Sequence, residues 1–184
     1  LKGRVKGRIG AQDFQKGVGE VILAFFEEWL DPSLVVRKYR NPMGIPVKWE
    51  LKGGNVFDIL TYEQATEQWE GWKGDVFWGD EPPPRDKYIA TLRGLVDKGG
   101  KAWLTLTPLK QPWIYDDIYT KSDGKKTFVE TVDIRDNTTL HEKDIEQFES
   151  SLTQEEKEAR LHGRFMHLTG LIYKEFGDWN ICEP

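Results

Sequence analysis

Apolar residues recur along this chain at two different periods, and the switches between them outline an alternation of helices and strands. Val18, Val21, Ile22, Phe25, Phe26 and Trp29 stand three or four residues apart, which predicts an amphipathic helix with one core-facing stripe, ended by Asp31-Pro32. Before it, Arg4-Val5-Lys6-Gly7-Arg8-Ile9-Gly10-Ala11 alternates in part and predicts a short strand whose bases form a solvated face. After it, Val47, Trp49 and Leu51 alternate with polar residues, Gly53-Gly54-Asn55 supplies turn chemistry, and Val56-Phe57-Asp58-Ile59-Leu60 resumes the apolar pattern. That sequence of signals predicts a β-hairpin.

The middle of the chain carries the clearest α/β signature. A short helix is expected over residues 63–69, and Gly71 and Gly74 lead into a strand over 75–79. Pro82-Pro83-Pro84 then forbids helix or sheet, so Asp80 and Glu81 fall at a strand end facing a stiff loop. Ile89, Leu92, Leu95 and Val96 mark the next helix, Gly99-Gly100 closes it, and residues 102–106 form another strand. A strand, helix, strand order with a right-handed crossover makes the two strands parallel. Glu81 and Thr107 are then expected at the same sheet edge, the edge at which α/β folds bind ligands.

Further on, a helix carrying Trp113, Ile114 and Ile118 is expected after Pro112, then a strand over 127–134 and two helices over 140–150 and 154–162. Thr153-Gln154-Glu155-Glu156 reads as a capping box for the second, and Gly163 as its stop. Residues 171–176 are strand-like.

Composition narrows the class. At 184 residues one domain is the default, able to bury roughly 70% of its unfolded surface. Charged residues make up 31% and apolar ones 38%, spread throughout, so neither a disordered tail nor a membrane span is indicated. With 31 acids against 26 bases the net charge of -5 argues against a purely electrostatic nucleic-acid binder. The single Cys182 leaves no internal disulfide framework, and the absence of a signal-peptide pattern fits a cytoplasmic location. The eight tryptophans sit mostly in periodic segments and are read as packing residues, not as a base-stacking platform. The chain opens at Leu1 and is expected to be part of something longer.

The chemistry gathers at Val76-Phe77-Trp78-Gly79-Asp80-Glu81 and Thr105-Leu106-Thr107-Pro108. Phosphoryl transfer from ATP needs charge neutralisation and a positioned water more than covalent catalysis. Asp80 is placed to hold the hydration shell of Mg²⁺, Glu81 to orient the attacking water, and Thr107 to hydrogen-bond the terminal phosphate or that water. The third part of such a site, a Gly-x-x-x-x-Gly-Lys-Ser/Thr loop, does not occur in the chain. Gly124-Lys125-Lys126-Thr127 lacks the first glycine and reads as an exposed turn. His162 and His167 have no Cys, Asp or Glu at ligand spacing and are read as surface or packing residues, and Cys182 as inert.

Several strings resemble one family in order and wording. Tyr62-Glu63-Gln64, Trp69-Glu70-Gly71, the run from Asp75 through Asp80-Glu81-Pro82-Pro83, and Leu104-Thr105-Leu106-Thr107-Pro108-Leu109 are similar to the ATPase domain of tailed-phage terminase large subunits. Ala159-Arg160-Leu161-His162-Gly163-Arg164-Phe165 and Gly170-Leu171-Ile172-Tyr173 resemble the segment that joins ATPase to nuclease, so the resemblance runs from about residue 8 to 176. It implies a partial RecA-like P-loop NTPase core, a mainly parallel sheet flanked by helices, using ATP and Mg²⁺ to drive double-stranded DNA into a capsid. Asp80 and Glu81 match the Walker B pair, and Thr105, Leu106, Thr107 and Pro108 the coupling motif. The implied partners are DNA, a portal protein, a small terminase subunit and further copies in a ring docked on the procapsid in the host cytoplasm, with no membrane. The Walker A loop is then expected before Leu1 and the nuclease after Pro184, with residues 1–176 as ATPase domain and 177–184 as the start of a linker. The chain departs from the pattern at Pro82, where many relatives have another acid, and at Glu70, where some have arginine. Arg85 and Arg93 are the alternative candidates for an arginine finger.

Two other readings compete. A helicase-type RecA motor also places Asp-Glu on one strand and threonine on the next, and a truncated, inactive scaffold accounts for the missing phosphate loop. Without the strand that bears that loop, exposed sheet edges are expected to make the isolated chain prone to association.

Overall fold

The computed structural model describes residues 3–109 and 111–165. Two compact units meet in sequence between Leu106 and Thr107. The first holds one six-stranded sheet: β1 (Lys6–Ala11), β2 (Val35–Arg40), β3 (Pro46–Leu51), β4 (Asn55–Thr61), β5 (Val76–Asp80) and β6 (Lys101–Thr105), in the spatial order β2-β3-β4-β1-β5-β6. From β4 to β6 every pair is parallel, and the β2-β3-β4 side is an antiparallel meander. The predicted hairpin is β3 and β4, and the predicted parallel pair is β5 and β6, with Asp80 opposite Thr105.

The first strand is not the solvated ribbon that its bases suggest. With parallel neighbours on both edges, β1 is buried from Gly7 to Ala11, as central parallel strands are. Arg8 is only 5% exposed and is satisfied internally: Nε and Nη2 donate to Asp58 Oδ2 (3.0 and 2.8 Å), and Nη1 donates to the Trp69 carbonyl (2.9 Å). Its guanidinium also lies 4.7 Å from the Trp72 ring centre.

Consecutive residues on a strand face opposite sides, and Phe77 and Trp78 divide accordingly between two cores. Trp78 packs against Ile9, Ala11, Val18, Ile22, Trp49 and Ile59. Phe77 joins Trp69, Trp72 and Leu95. Phe77 and Trp69 are fully enclosed, Phe77 stabilising by about 1.5–3 kcal/mol on transfer grounds.

Three elements of the first unit differ from expectation. The helix after β1 is π-wound over Phe14–Ile22 before α1 (Leu23–Trp29) begins, so the predicted stripe splits: Val18 and Ile22 are buried while Val21, Phe25 and Trp29 are exposed. Residues 63–69 hold only a 3₁₀ turn, Thr66–Gln68. Strand β2 has no counterpart in the prediction. The tryptophans divide too, Trp49, Trp69 and Trp72 being buried but Trp29 and Trp103 exposed. As expected, Pro82-Pro83-Pro84 separates β5 from α2 (Arg85–Val96), although α2 buries Lys87, Thr91, Gly94 and Leu95 and leaves Ile89 and Val96 in solvent.

The second unit contains no strand among its described residues, so the one expected over 127–134 is absent: Phe128 and Val132 are exposed. A π-helical segment (Tyr115–Tyr119), a 3₁₀ turn (Ile134–Asp136), α3 (Glu142–Ser150) and α4 (Gln154–Arg160) form it. Thr153 and Glu156 make the predicted capping box, Thr153 Oγ1 accepting from the Glu156 N–H (3.2 Å) and Glu156 Oε2 from the Thr153 N–H (3.0 Å). Gly163 follows at φ 61°, in the left-handed conformation that ends helices. Among the described residues no helix is long and apolar enough to cross a membrane. The predicted strand over 171–176, the Gly170-Tyr173 string, His167 and Cys182 lie outside the described residues.

Candidate active site

Asp80 is the last residue of β5 and Glu81 the first beyond it, so the buried strand delivers two carboxylates to the C-terminal edge of the sheet. The Thr105 hydroxyl accepts from Trp78 Nε1 (2.8 Å) and donates to Asp80 Oδ1 (3.1 Å). Because an indole N–H can only donate, Trp78 leaves the threonine proton for the carboxylate. Asp80 Oδ2 has no hydrogen-bond partner among the described residues. Burial raises the Asp80 pKa above the ordinary aspartate value, and the Thr105 hydroxyl pulls it part of the way back.

The backbone of Glu81 continues the ladder by one bond, its N–H donating to the Thr105 carbonyl (2.8 Å). Its φ of 63° is left-handed, a conformation that costs a non-glycine residue about 1–2 kcal/mol. Such strain persists where neighbouring contacts enforce it.

A cleft of about 590 Å³ opens beside the two acids, its other wall formed by Gln12 and Asp13 from the turn that follows β1 and by Gln15 and Lys16 from the start of the π-wound segment. Asp13 caps the π-wound segment, its Oδ1 accepting from the Lys16 N–H (2.6 Å). Three carboxylates and one ammonium line the cleft, a balance that suits a hydrated divalent cation. The desolvated, singly bonded Asp80 fits the same chemistry. A polyphosphate needs more positive charge than Lys16 supplies.

Of the residues singled out in the sequence, Asp80, Glu81 and Thr105 come together. Leu106 ends the first unit, while Thr107 and Pro108 open the second, where the Thr107 carbonyl accepts from the Leu109 N–H (2.8 Å). Arg85 and Arg93 are exposed on α2. The sequence reading missed the wall from Gln12 to Lys16, the Trp78 donor, and Tyr62, whose hydroxyl bonds to the Glu81 carbonyl (3.1 Å). The signal for that wall was its position directly after a strand parallel to β5.

Elsewhere, the turn at Gly124 is filled by its own side chain. Asp123 Oδ1 accepts from the N–H groups of Lys125 (2.9 Å), Lys126 (2.7 Å) and Thr127 (3.0 Å), occupying amides that a phosphate would need. His162 Nδ1 pairs with Asp133 Oδ2 at 2.6 Å. Among the described residues no three His, Cys, Asp or Glu side chains gather as a metal cluster.

The crystallised large terminase of a thermophilic bacteriophage has the same fold, with a TM-score of 0.71 at 16% sequence identity over 96% of this chain and 44% of that one. The chain thus spans less than half the length of that protein. No curated protein matches it. Residues 13–177, which take in the cleft wall from Asp13 onward, both acids and the Thr105 strand, match the family described as the terminase large subunit, T4likevirus-type, N-terminal. The chain belongs to that family, the N-terminal part of T4-like-virus-type terminase large subunits.

Proposed function

We propose that this chain is the Walker B and coupling portion of an ATP-hydrolysing motor that drives double-stranded DNA into a phage capsid. The observation that carries this reading is the pair of acids at the end of β5, one desolvated and bonded to Thr105, the other beside it on a cleft. Asp80 would hold Mg²⁺ through its water shell, and Glu81 would orient and polarise the water that attacks the terminal phosphate. Mg²⁺, when bound with ATP, supplies charge neutralisation at the phosphates. Thr105 holds Asp80, and Thr107, two residues along, is assigned to sensing the phosphate and passing its loss to the rest of the coupling motif, Leu106 and Pro108.

The remaining positive charge is assigned to a phosphate-binding loop upstream of Leu1. The outer edge of β6 has no ladder partner among the described residues, and Trp103 on that strand is 48% exposed, which suits the addition of a further strand there. In this reading residues 1–176 are a partial ATPase domain and 177–184 lead toward a nuclease. The assembled protein works as a ring on a portal, with a small terminase subunit choosing the DNA, in the cytoplasm of the infected host.

The test is Mg²⁺-dependent ATP hydrolysis by this chain and by a version extended upstream through the phosphate loop, each with a Glu81→Gln control. Turnover by the extended form alone, abolished by Glu81→Gln, is the expected result. Turnover indifferent to Glu81 in both forms would overturn it.

A further inference from the structure

Tyr62 follows the last residue of β4, yet its side chain crosses β1 to reach the loop after β5. Its hydroxyl donates one proton to two carbonyls, that of Glu81 (3.1 Å) and that of Gly10 (3.2 Å), a three-centre bond joining three adjacent strand ends. The ring reaches there because two strands carry no side chain at the crossing. A Cβ on Gly10 would stand 2.8 Å from Tyr62 Cε1, and one on Gly79 would stand 3.1 Å from the hydroxyl and 2.7 Å from Leu104 Cδ2. Trp69 stacks on the ring at 5.7 Å between centres. Burial first, and then the negative fields of Asp80 and Glu81, raise the phenol pKa well above its ordinary value, so the hydroxyl keeps its proton and remains a donor.

Glu81 is the residue whose backbone needs holding. Its left-handed φ would relax if the chain on either side were free, and both sides are tied: its N–H to the Thr105 carbonyl (2.8 Å) and its own carbonyl to Tyr62. We propose that Tyr62 is the positioning residue for Glu81, its hydroxyl fixing the peptide after Glu81 in the strained conformation that presents the carboxylate to the cleft. This rests on the reading of Glu81 as the group that orients the attacking water. A ring that merely filled space between β4 and β5 would not need the hydroxyl, and phenylalanine would serve equally well.

The experiment uses the full-length subunit that contains this chain and its phosphate-binding loop. Steady-state kcat and KM for Mg²⁺-ATP, affinity for a fluorescent ATP analogue and thermal unfolding are measured for the parent, Tyr62→Phe, Glu81→Gln and the double variant. Tyr62→Phe keeps the stacked ring, so the melt, KM and analogue affinity stay near the parent while kcat falls between roughly tenfold and a hundredfold, the scale of a catalytic group misplaced by a fraction of an ångström to an ångström. The double variant is no slower than Glu81→Gln alone, because the hydroxyl acts through Glu81. Parent-like kcat in Tyr62→Phe with Glu81→Gln inactive overturns the proposal and leaves the ATPase reading standing. Losses in Tyr62→Phe that fall equally on melting and nucleotide affinity, or that multiply with those of Glu81→Gln, also overturn it by making Tyr62 a packing residue. Full activity in Glu81→Gln overturns the ATPase reading and this proposal with it. Gly79→Ala, which pushes a methyl toward the hydroxyl, is the second variant and is expected to reproduce the Tyr62→Phe kinetics.

Discussion

The two ends of β5 treat an aspartate in opposite ways. Asp75, just before the strand, accepts from the Lys6 N–H (2.8 Å) and from Lys98 Nζ (3.3 Å), and its pKa lies below the ordinary value, first because of the backbone donor. Asp80, at the other end, has a hydroxyl for its only hydrogen-bond donor among the described residues, and burial pushes its pKa up. Asp58, across the sheet from Arg8, belongs with Asp75 in being answered by a cation of the same chain. Acids answered by a cation from within hold strands together. An acid that the fold desolvates without a counter-charge calls for one from outside, and Asp80 is left in that condition at the edge where α/β folds bind ligands.

The largest expected effect separates the two ends by activity. In the full-length subunit, Glu81→Gln should lower Mg²⁺-ATP turnover by about 10²–10⁴-fold, the usual contribution of a general base, while Asp75→Asn leaves it within about twofold. Equal losses from the two substitutions would erase the distinction. Next in size is a purely structural effect. Arg8→Met strands Asp58 within the sheet and should destabilise the chain by about 3 kcal/mol in a denaturant titration, and adding Asp58→Leu should recover most of that loss. If Arg8→Met were neutral, the ion pair would be ornamental and the internal pairing of these acids with cations would mean little.

Much of this arrangement was legible in the residues. A four-residue apolar run, two acids and three prolines leave β5 and its loop few alternatives, and glycines after α2 place β6 beside it. What escaped notice depended on partners remote in sequence. Arg8 looks like a surface base until Asp58 and the Trp69 carbonyl, 50 and 61 residues away, are brought to it. Strand β2 hides because Arg37, Lys38 and Arg40 mask the alternation of a strand that, among the described residues, meets only β3. The stripe on the helix after β1 fails because π-winding changes the number of residues per turn, moving Val21 and Phe25 out of the core. Tyr62 was visible as part of a family string, but its reach across Gly10 to Glu81 is a fact of register that no local period encodes.

The smaller predictions sharpen the contrast through pH. Asp80 has a raised folded-state pKa, so its contribution to stability is present below the unfolded value and is lost as pH rises through the folded one. At neutral pH its charge is therefore a cost, and Asp80→Asn should raise the melting temperature of the nucleotide-free protein, with the gain vanishing in acid. Asp75 obeys the opposite sign. Its lowered pKa means that it stabilises above the unfolded value and ceases to do so as pH falls through the folded one. Asp75→Asn should thus lower the melting temperature at neutral pH and lose its effect in acid. Because Asp75 lies close to solvent, the change should correspond to less than about 1 kcal/mol and shrink further in high salt. Melting curves of the two variants against pH should therefore depart from the parent in opposite directions at neutral pH and converge on it in acid. A shift of the same sign in both would mean that β5 carries two equivalent acids and that only Glu81 distinguishes its ends.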